Sequence, residues 1–488
     1  MWPLIIAAAI LGGTYVYHRW IEDHPSPPRP ADINVPRVDE GAPIPLVYGR
    51  CRVRSPVLVW SGNLVPAETV GDDYRLDMMF VVGIPFYAGL ATLGSTVVAP
   101  SGFNGVGGMY TGDLLGFGFS GLIESHTVDH AIYVNNDGGP SGGQSVVASF
   151  YPGSRYQDLS ETSNPSGGPV VRDKMVIGGV DASRIPGYRG QIVFFGEFDI
   201  GPNPSPPAFG FEVVSLSTIM GQTLPYDADP AAVLYDLITS PWGKLGLPTS
   251  ILDIPSFLAS SATLYTEGHG YSHSFEGTFD AAEAINDILQ QTDGILYQEP
   301  TTGKVVYKLV RADYNVLDLV DVNPSNVSVR DGQAEIEYAI QGWNETFNQV
   351  RLTFTDRTYF AGNPLQAGIY AEGLAIAQNG ANVFSQGRLR SVDVRYLGCC
   401  DRVLAQKLAS RELAVVSKPA VKATVTVNRT FYAHRPGDVV TFTWPELGIV
   451  KMVMRIARID LGQLHDGRIV LDMIRDVFDV SIGAFPVG

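Results

Sequence analysis

Cysteine, histidine and charge are all scarce in this chain of 488 residues. Three cysteines, Cys51, Cys399 and Cys400, are too few for a disulfide framework, and neighbours such as Cys399 and Cys400 bridge only with strain. Burial therefore has to hold the fold, and free thiols suit a reducing compartment such as a bacterial cytoplasm. Charged residues make up only 17%, with 34 Lys and Arg against 50 Asp and Glu, for a formal net charge of -16. That balance excludes a general nucleic-acid binder, which needs clustered cations to displace counterions from phosphate. It suits a wall past which a polyanion slides, although the plainer reading is solubility. Also missing are a P-loop, a Cys-x-x-Cys pair and a carboxylate pair isolated in a catalytic setting. The expectation is a protein that is not an enzyme, with no catalytic residue, no cofactor and no metal.

No apolar run reaches the ~20 residues that span a bilayer. The longest, Trp2 to Tyr17, is interrupted by Gly12-Gly13 and closed by His18-Arg19. A signal peptide would place basic residues before the apolar core and a small-residue cleavage site after it, and neither is present. The preferred reading is an apolar helix buried by partners, for instance three copies packed in the bore of an oligomer. A membrane anchor, or contact of residues 1–20 with a host membrane, is the other. Next comes His24-Pro-Ser-Pro-Pro-Arg-Pro30, a polyproline-type spacer.

What the chain has is glycine and proline, 53 and 33 residues, with 45% hydrophobic residues, which describes strands and turns. Its length predicts roughly two to four domains, and so few charges suggest surface reserved for other subunits. Gly41-Ala-Pro-Ile-Pro-Leu-Val-Tyr-Gly-Arg50 reads as a stiff extended lead into a strand that turns at Gly49. Further strands are expected at 57–60 and 74–82. The composition then shifts to Gly, Ser, Asn and Pro between Gly83 and Ala182, too long for pure loop and read as an inserted β-domain. Ile185-Pro-Gly-Tyr-Arg-Gly190 leads into strands at 191–195 and 209–214.

Asp229-Pro230 starts a helix, aspartate capping it and proline taking its first position, and Ser240-Pro241 stops it. A second helix spans 280–293 with Gly294 as its stop, followed by a hairpin, 295–298 with 305–310. From Ala334 to Val480 the pattern is β again, with strands at 349–355, 423–427, 439–443 and 452–457 and one amphipathic helix at about Arg402 to Val415.

Some apparent chemical motifs fail on context. Gly116-Phe-Gly-Phe-Ser-Gly121 fits the dinucleotide pattern without a βαβ unit around it. Gly139-Pro-Ser-Gly-Gly143 spells a hydrolase elbow but runs into a strand at 144–151. The pairs His126/His130 and His269/His273 have helical ligand spacing in sequence that is not helical. Trp242 and Trp343 read either as contact anchors or as core.

Five segments, in order, resemble the hub proteins at the distal end of long-tailed bacteriophages, the family of the lambda-type tail tip attachment (host-specificity) protein, in a short form. They are Gly41 to Arg50 (with Pro43, Pro45, Tyr48, Gly49 and Arg50), Pro186 to Gly190 (Pro186, Tyr188, Arg189, Gly190) with Phe209 to Val213, Ala232 to Pro248 (with Trp242 and Gly243), Asn348 to Asp356, and the turn Arg435 to Val440 (Pro436, Gly437, Asp438). The resemblance implies a mainly β multidomain fold with α+β elements. It divides the chain into an N-terminal helix and spacer (1–34), a β-barrel-like tube domain (35–83 plus 183–223), an inserted β domain (84–182), an α+β domain (224–333) and a second barrel-like domain with one helix (334–488). It further implies a homotrimer at the virion's tail tip, assembled in the host cytoplasm. The trimer would cap the ring of the tail tube, meet the C-terminus of the tape-measure protein, dock tip or fibre proteins, and let phage DNA through without specific binding. The alternatives from other classes are a membrane-anchored adhesin or assembly protein of a Gram-negative cell, and a polysaccharide-cleaving β enzyme.

Overall fold

The computed structural model describes residues 41–53, 56–66, 74–86, 123–124, 131–135, 143–151, 159, 170–201, 211–217, 219–221, 224, 226–241, 244–278, 280–330, 333–361, 369–462 and 467–479. The N-terminal apolar run, the spacer, Gly116 to Gly121, Gly139 to Gly142, His126/His130, Trp242 and Gly243 lie outside these residues.

The N-terminal half builds β1 (Leu46–Val53), β2 (Val57–Pro66), β3 (Tyr74–Gly83), β4 (Ile123–Glu124), β5 (Ala131–Asn135), β6 (Gly143–Tyr151), the helix α1 (Val171–Ile177), β7 (Ile192–Gly201) and β8 (Phe211–Ser215). Six of the strands form one antiparallel sheet in the order β2-β3-β7-β6-β5-β4. The sequence suggests a separate domain at 84–182. Instead β6 hydrogen-bonds β7 from Val146↔Phe198 to Tyr151↔Val193, and 84–182 supplies half of a shared sheet. The physical reason is the ladder itself: a β4-β5-β6 meander alone leaves a row of unpaired backbone groups, which β7 satisfies. Under this sheet Met79, Val81, Val193 and Phe195 pack with Val171 and Met175 of α1. Trp60 stacks on Phe195 at 6.2 Å.

The α+β unit follows: α2 (Pro230–Thr239), α3 (Ile254–Glu267), β9 (His273–Phe275), α4 (Ala281–Thr292), β10 (Gly294–Gln298) and β11 (Val305–Leu309). Asp229 caps α2 as expected, its carboxylate accepting from the Ala231 N–H. The expected second helix ends at Asp293 rather than Gly294: Asp293 takes the left-handed conformation (φ 50°) and Gly294 opens β10. Glycine is required there for another reason, since a Cβ would sit 2.5 Å from the Tyr307 ring. Three helices, α1, α3 and the later Gly380–Gln386, are absent from the sequence reading, and α3 is the longest of them. Both ends carry the usual signals, Asp253 accepting from Ser256 N–H and Gly268 at φ 68°.

The C-terminal half comprises β12 (Asp321–Val322), a small hairpin of β13 (Val329–Arg330) and β14 (Gln333–Ala334), β15 (Ile336–Ile340), β16 (Gln349–Ala361), β17 (Ile369–Gln378), α5 (Gly380–Gln386), β18 (Ser391–Tyr396), α6 (Arg402–Val416), β19 (Val421–Val427), β20 (Val439–Trp444), β21 (Ile449–Asp460) and β22 (Ile469–Arg475). The sequence anticipates a single barrel-like unit over 334–488; two sheets occupy it. A six-stranded sheet runs β12-β20-β21-β22-β19-β15 around Val425, Phe442, Met454 and Leu471. A three-stranded sheet, β17-β16-β18, packs Val350, Leu352 and Phe354 against Leu404, Ala405 and Leu408 of α6. Each sheet buries its own apolar face, so each has its own core.

Candidate functional site

Strand β1 carries the Gly41–Arg50 motif through the centre of a three-stranded sheet, order β8-β1-β9, that ties the N-terminal half to the α+β unit. Leu46, Val47 and Tyr48 pair with β9, and Gly49 to Val53 pair with β8. Gly49 was expected to turn the chain. The strand continues through it, and what changes there is the partner. Its φ is 66°, and a Cβ would lie 2.0 Å from Ser272 Oγ and 2.8 Å from the Tyr271 carbonyl, so only glycine lets the two segments close.

Around this switch the motif residues are anchored. Pro43 is exposed, while Pro45 is buried and its carbonyl accepts from Ile84 N–H at 2.7 Å. Tyr48 is fully enclosed; its hydroxyl donates to Asp236 of α2 at 2.9 Å, and the Lys244 ammonium, itself enclosed, pairs with the same carboxylate and lies 5.4 Å from the Tyr48 ring centre. Burial raises the pKa of both Tyr48 and Asp236; for Asp236 it outweighs the opposing pull of Lys244. The Arg50 guanidinium lies over the Tyr226 ring at 5.2 Å, and its backbone N–H donates to the Tyr226 carbonyl at 2.8 Å.

The same place receives the three-stranded sheet of the C-terminal half. Ser272 Oγ donates to Asp227, and Arg357 of β16 pairs with Asp227 at 3.0 Å. Ser272 N–H donates to the Gly398 carbonyl, and a Cβ at Gly398 would lie 2.1 Å from the Tyr271 ring. All three cysteines are buried, Cys400 with its thiol donating to the Ser272 carbonyl at 3.3 Å.

The Pro436-Gly437-Asp438 turn is a second junction, between the β10-β11 hairpin and the C-terminal six-stranded sheet. Lys308 of β11 pairs with Asp438 at 2.5 Å, and Arg435 forks onto both oxygens of Glu299 at 2.7 Å. That fork holds the Glu299 carboxyl down to about 2. Arg455, buried, donates to the Gly437 and Arg311 carbonyls and pairs with Asp476. The remaining motif, Pro186 to Gly190, leads into β7 as the sequence suggests: Tyr188 (φ 46°) and Gly190 (φ 74°) take left-handed backbone, Tyr188 packs into the core beneath the sheet, and Pro186 and Arg189 are exposed.

The Gly41–Arg50 and Arg435–Val440 motifs are thus joints between units, and among the described residues no chemistry-bearing cluster assembles around them. Among the described residues no group of three or more His, Cys, Asp or Glu side chains is arranged to hold a metal. His269 follows the end of α3 and His273 opens β9, so the pair shares no helix; burial lowers the pKa of His269 to about 3 and of His273 to about 4. Among the described residues no helix is long and apolar enough to cross a membrane. Trp343 is 61% exposed, which assigns it to the surface rather than to the core. Sequence reasoning missed Tyr271, Ser272 and Arg455, whose partners are remote in the chain, and it held Asp236 and Lys244 within the Ala232–Pro248 segment without giving them a role.

Residues 280–459 match the model of a family described as a putative phage tail protein. The chain matches none of the curated proteins. Among solved structures it is similar in fold to a chain in the virion of a native gene transfer agent particle, at 14% identity and TM-score 0.54, with 97% of this chain and 96% of that one covered. Weaker similarity extends to the 43 kDa tail protein of prophage MuSo2 from Shewanella oneidensis (10% identity, TM-score 0.32, 89% and 98% covered) and to a tail protein from Neisseria meningitidis MC58 (11% identity, TM-score 0.33, 88% and 92% covered).

Proposed function

From a family match and a fold that support a structural protein of a phage tail, located in the virion, we propose that this chain is the hub of the tail tip: a homotrimer that caps the tail tube and forms part of the DNA ejection channel. The observation that carries the reading is the presence of two six-stranded sheets in one chain, β2-β3-β7-β6-β5-β4 and β12-β20-β21-β22-β19-β15. Three copies would present six such sheets, which is how a threefold tip can meet a sixfold tube with repeated contacts. The formal charge of -16 suits a channel that does not retain DNA. Tip or fibre proteins and the tape-measure C-terminus would dock on this hub. The role is structural: the motif residues, Tyr48, Gly49, Arg50, Pro436, Gly437 and Asp438 among them, hold units together.

The test is the mass of the purified full-length protein by light scattering, followed by negative-stain imaging. A ring of three chains with a central bore is the expected result. A monomer that needs detergent would instead favour the membrane-anchored surface protein.

A further inference from the structure

The two edges of the C-terminal six-stranded sheet carry surfaces of opposite character. At one edge the chain enters β12 through residues 312–320, where Leu317 is 85% exposed and Val316 and Val320 are exposed beside it. Asp313 and Asp318 flank them, and neither has a cation within ion-pair distance among the described residues. Among the described residues the one side-chain hydrogen bond to Asp318 is from Asn315, at 3.0 Å.

The opposite edge is β15. Beyond its last residue, Ile340, stand Trp343 and, on α5, Phe384, which is 91% exposed. Gln386 Nε2 donates to the Trp343 carbonyl at 3.1 Å, which fastens α5 to the Trp343 turn. Three cations gather here: Arg388, exposed; Arg390, lying over the Phe347 ring at 5.3 Å; and Lys418, next to Ser417, whose carbonyl accepts from Asn382 of α5. None of the three has a carboxylate partner among the described residues, and Arg390 Nη1 and Lys418 Nζ are enclosed without an acceptor.

We propose that these two surfaces meet between neighbouring copies of the chain, the acidic apolar turn at 312–320 of one against the basic aromatic face around Trp343 and Phe384 of the next. Glu345 shares the Trp343 turn and is exposed, so the three cations leave that face net positive against the acidic turn, and both faces offer apolar side chains. Within one chain β12 and β15 run in the same direction, and the turn at 312–320 precedes β12 while Trp343 follows β15, so the two surfaces lie at opposite ends of these strands and one copy does not bring them together. A contact between two different faces repeats head to tail and closes a ring when the rotation allows. The inference rests on the oligomeric hub reading and assigns its interface.

The test uses the full-length chain and two variants, one with Leu317→Lys and Asp318→Lys, the other with Phe384→Asp and Arg388→Glu. Light scattering should show each variant dissociating at a protein concentration at least about tenfold higher than wild type, the equivalent of 1.4 kcal/mol. Mixed in equal amounts, the two variants should form a one-to-one heterodimer, because each supplies the face that the other has lost; that heterodimer also proves both are folded. A swapped chain carrying Asp313→Arg, Asp318→Arg, Arg388→Asp and Arg390→Asp should assemble again. If wild type is an oligomer and both variants keep its mass, or the mixture stays monomeric, the interface assignment is overturned while the hub reading stands. If wild type is a monomer at every concentration, the hub reading itself falls.

Discussion

The hydroxyl of Tyr48 donates to the carboxylate of Asp236, 2.9 Å away and 188 positions along the chain. Lys244 pairs with the same carboxylate, and all three side chains are enclosed. Breaking such a set leaves a buried charge alone, which costs about 3–5 kcal/mol, whereas replacing both ions by apolar groups of similar volume is close to neutral. Lys244→Met should therefore lower the denaturation midpoint sharply, and adding Asp236→Leu should recover most of the loss. Tyr48→Phe alone should cost about 1–3 kcal/mol by leaving the carboxylate short of a donor. If Lys244→Met melts like wild type, the triad contributes nothing to holding β1 on α2.

At Gly49 a side chain is excluded twice, by a φ of 66° and by the approach of Ser272 and the Tyr271 carbonyl. Gly49→Ala should cost upwards of about 3 kcal/mol, since strain in the left-handed region adds to the overlap. Adding Ser272→Gly removes one clash and leaves the carbonyl and the φ, so rescue should be partial. Full recovery of the melting temperature in the double variant would mean that the hydroxyl alone sets the requirement for glycine.

Asp229 both caps α2 and accepts from Ser261 inside the core, and burial raises its carboxyl from 3.8 to about 6. A raised folded-state pKa means the folded form holds its proton longer than the unfolded one. The associated stability is complete below pH 3.8 and is lost as pH rises through 6, on the order of 3 kcal/mol in all. Asn keeps the cap and cannot ionise. The difference in stability between wild type and Asp229→Asn, measured by denaturant titration from pH 4 to 7.5, should move in favour of the variant as pH rises. A difference that is flat with pH would show that Asp229 titrates as an ordinary surface carboxylate.

These three sites show which parts of the fold could be read from sequence. Asp229-Pro230 was legible because a cap and its helix are neighbours in the chain. The motif around Tyr48 was visible as a pattern, but Asp236 and Ser272 are distant in sequence, and the change of strand partner at Gly49 is a property of two ladders. Helix α3 went unseen because Ser256, Ser260, Ser261, Thr263 and Thr266 dilute its apolar face. Their hydroxyls are used in the fold, Ser261 on Asp229 and Ser260 on the Tyr307 carbonyl. The division of 334–488 into two sheets was hidden for the same reason as the sharing of β6 with β7: strand character is local, and strand pairing is not.

Cys51 lies on β1, and Cys399 and Cys400 lie beyond β18, so the thiols approach one joint from two units. All three are buried; burial pushes the Cys399 thiol up to about 12 and Cys400 well above its ordinary value. Reaction needs the thiolate and access, and the folded joint withholds both. Labelling by an alkylating reagent at pH 8 should be at least about 100-fold slower in native protein than in denaturant, and should proceed only through opening of the joint. Gly398→Ala, which drives a methyl group into the Tyr271 ring, should accelerate labelling of Cys400 and of Cys51 together. Acceleration at Cys400 alone would mean that the C-terminal sheet lifts away without disturbing β1, and the joint would then be two contacts rather than one.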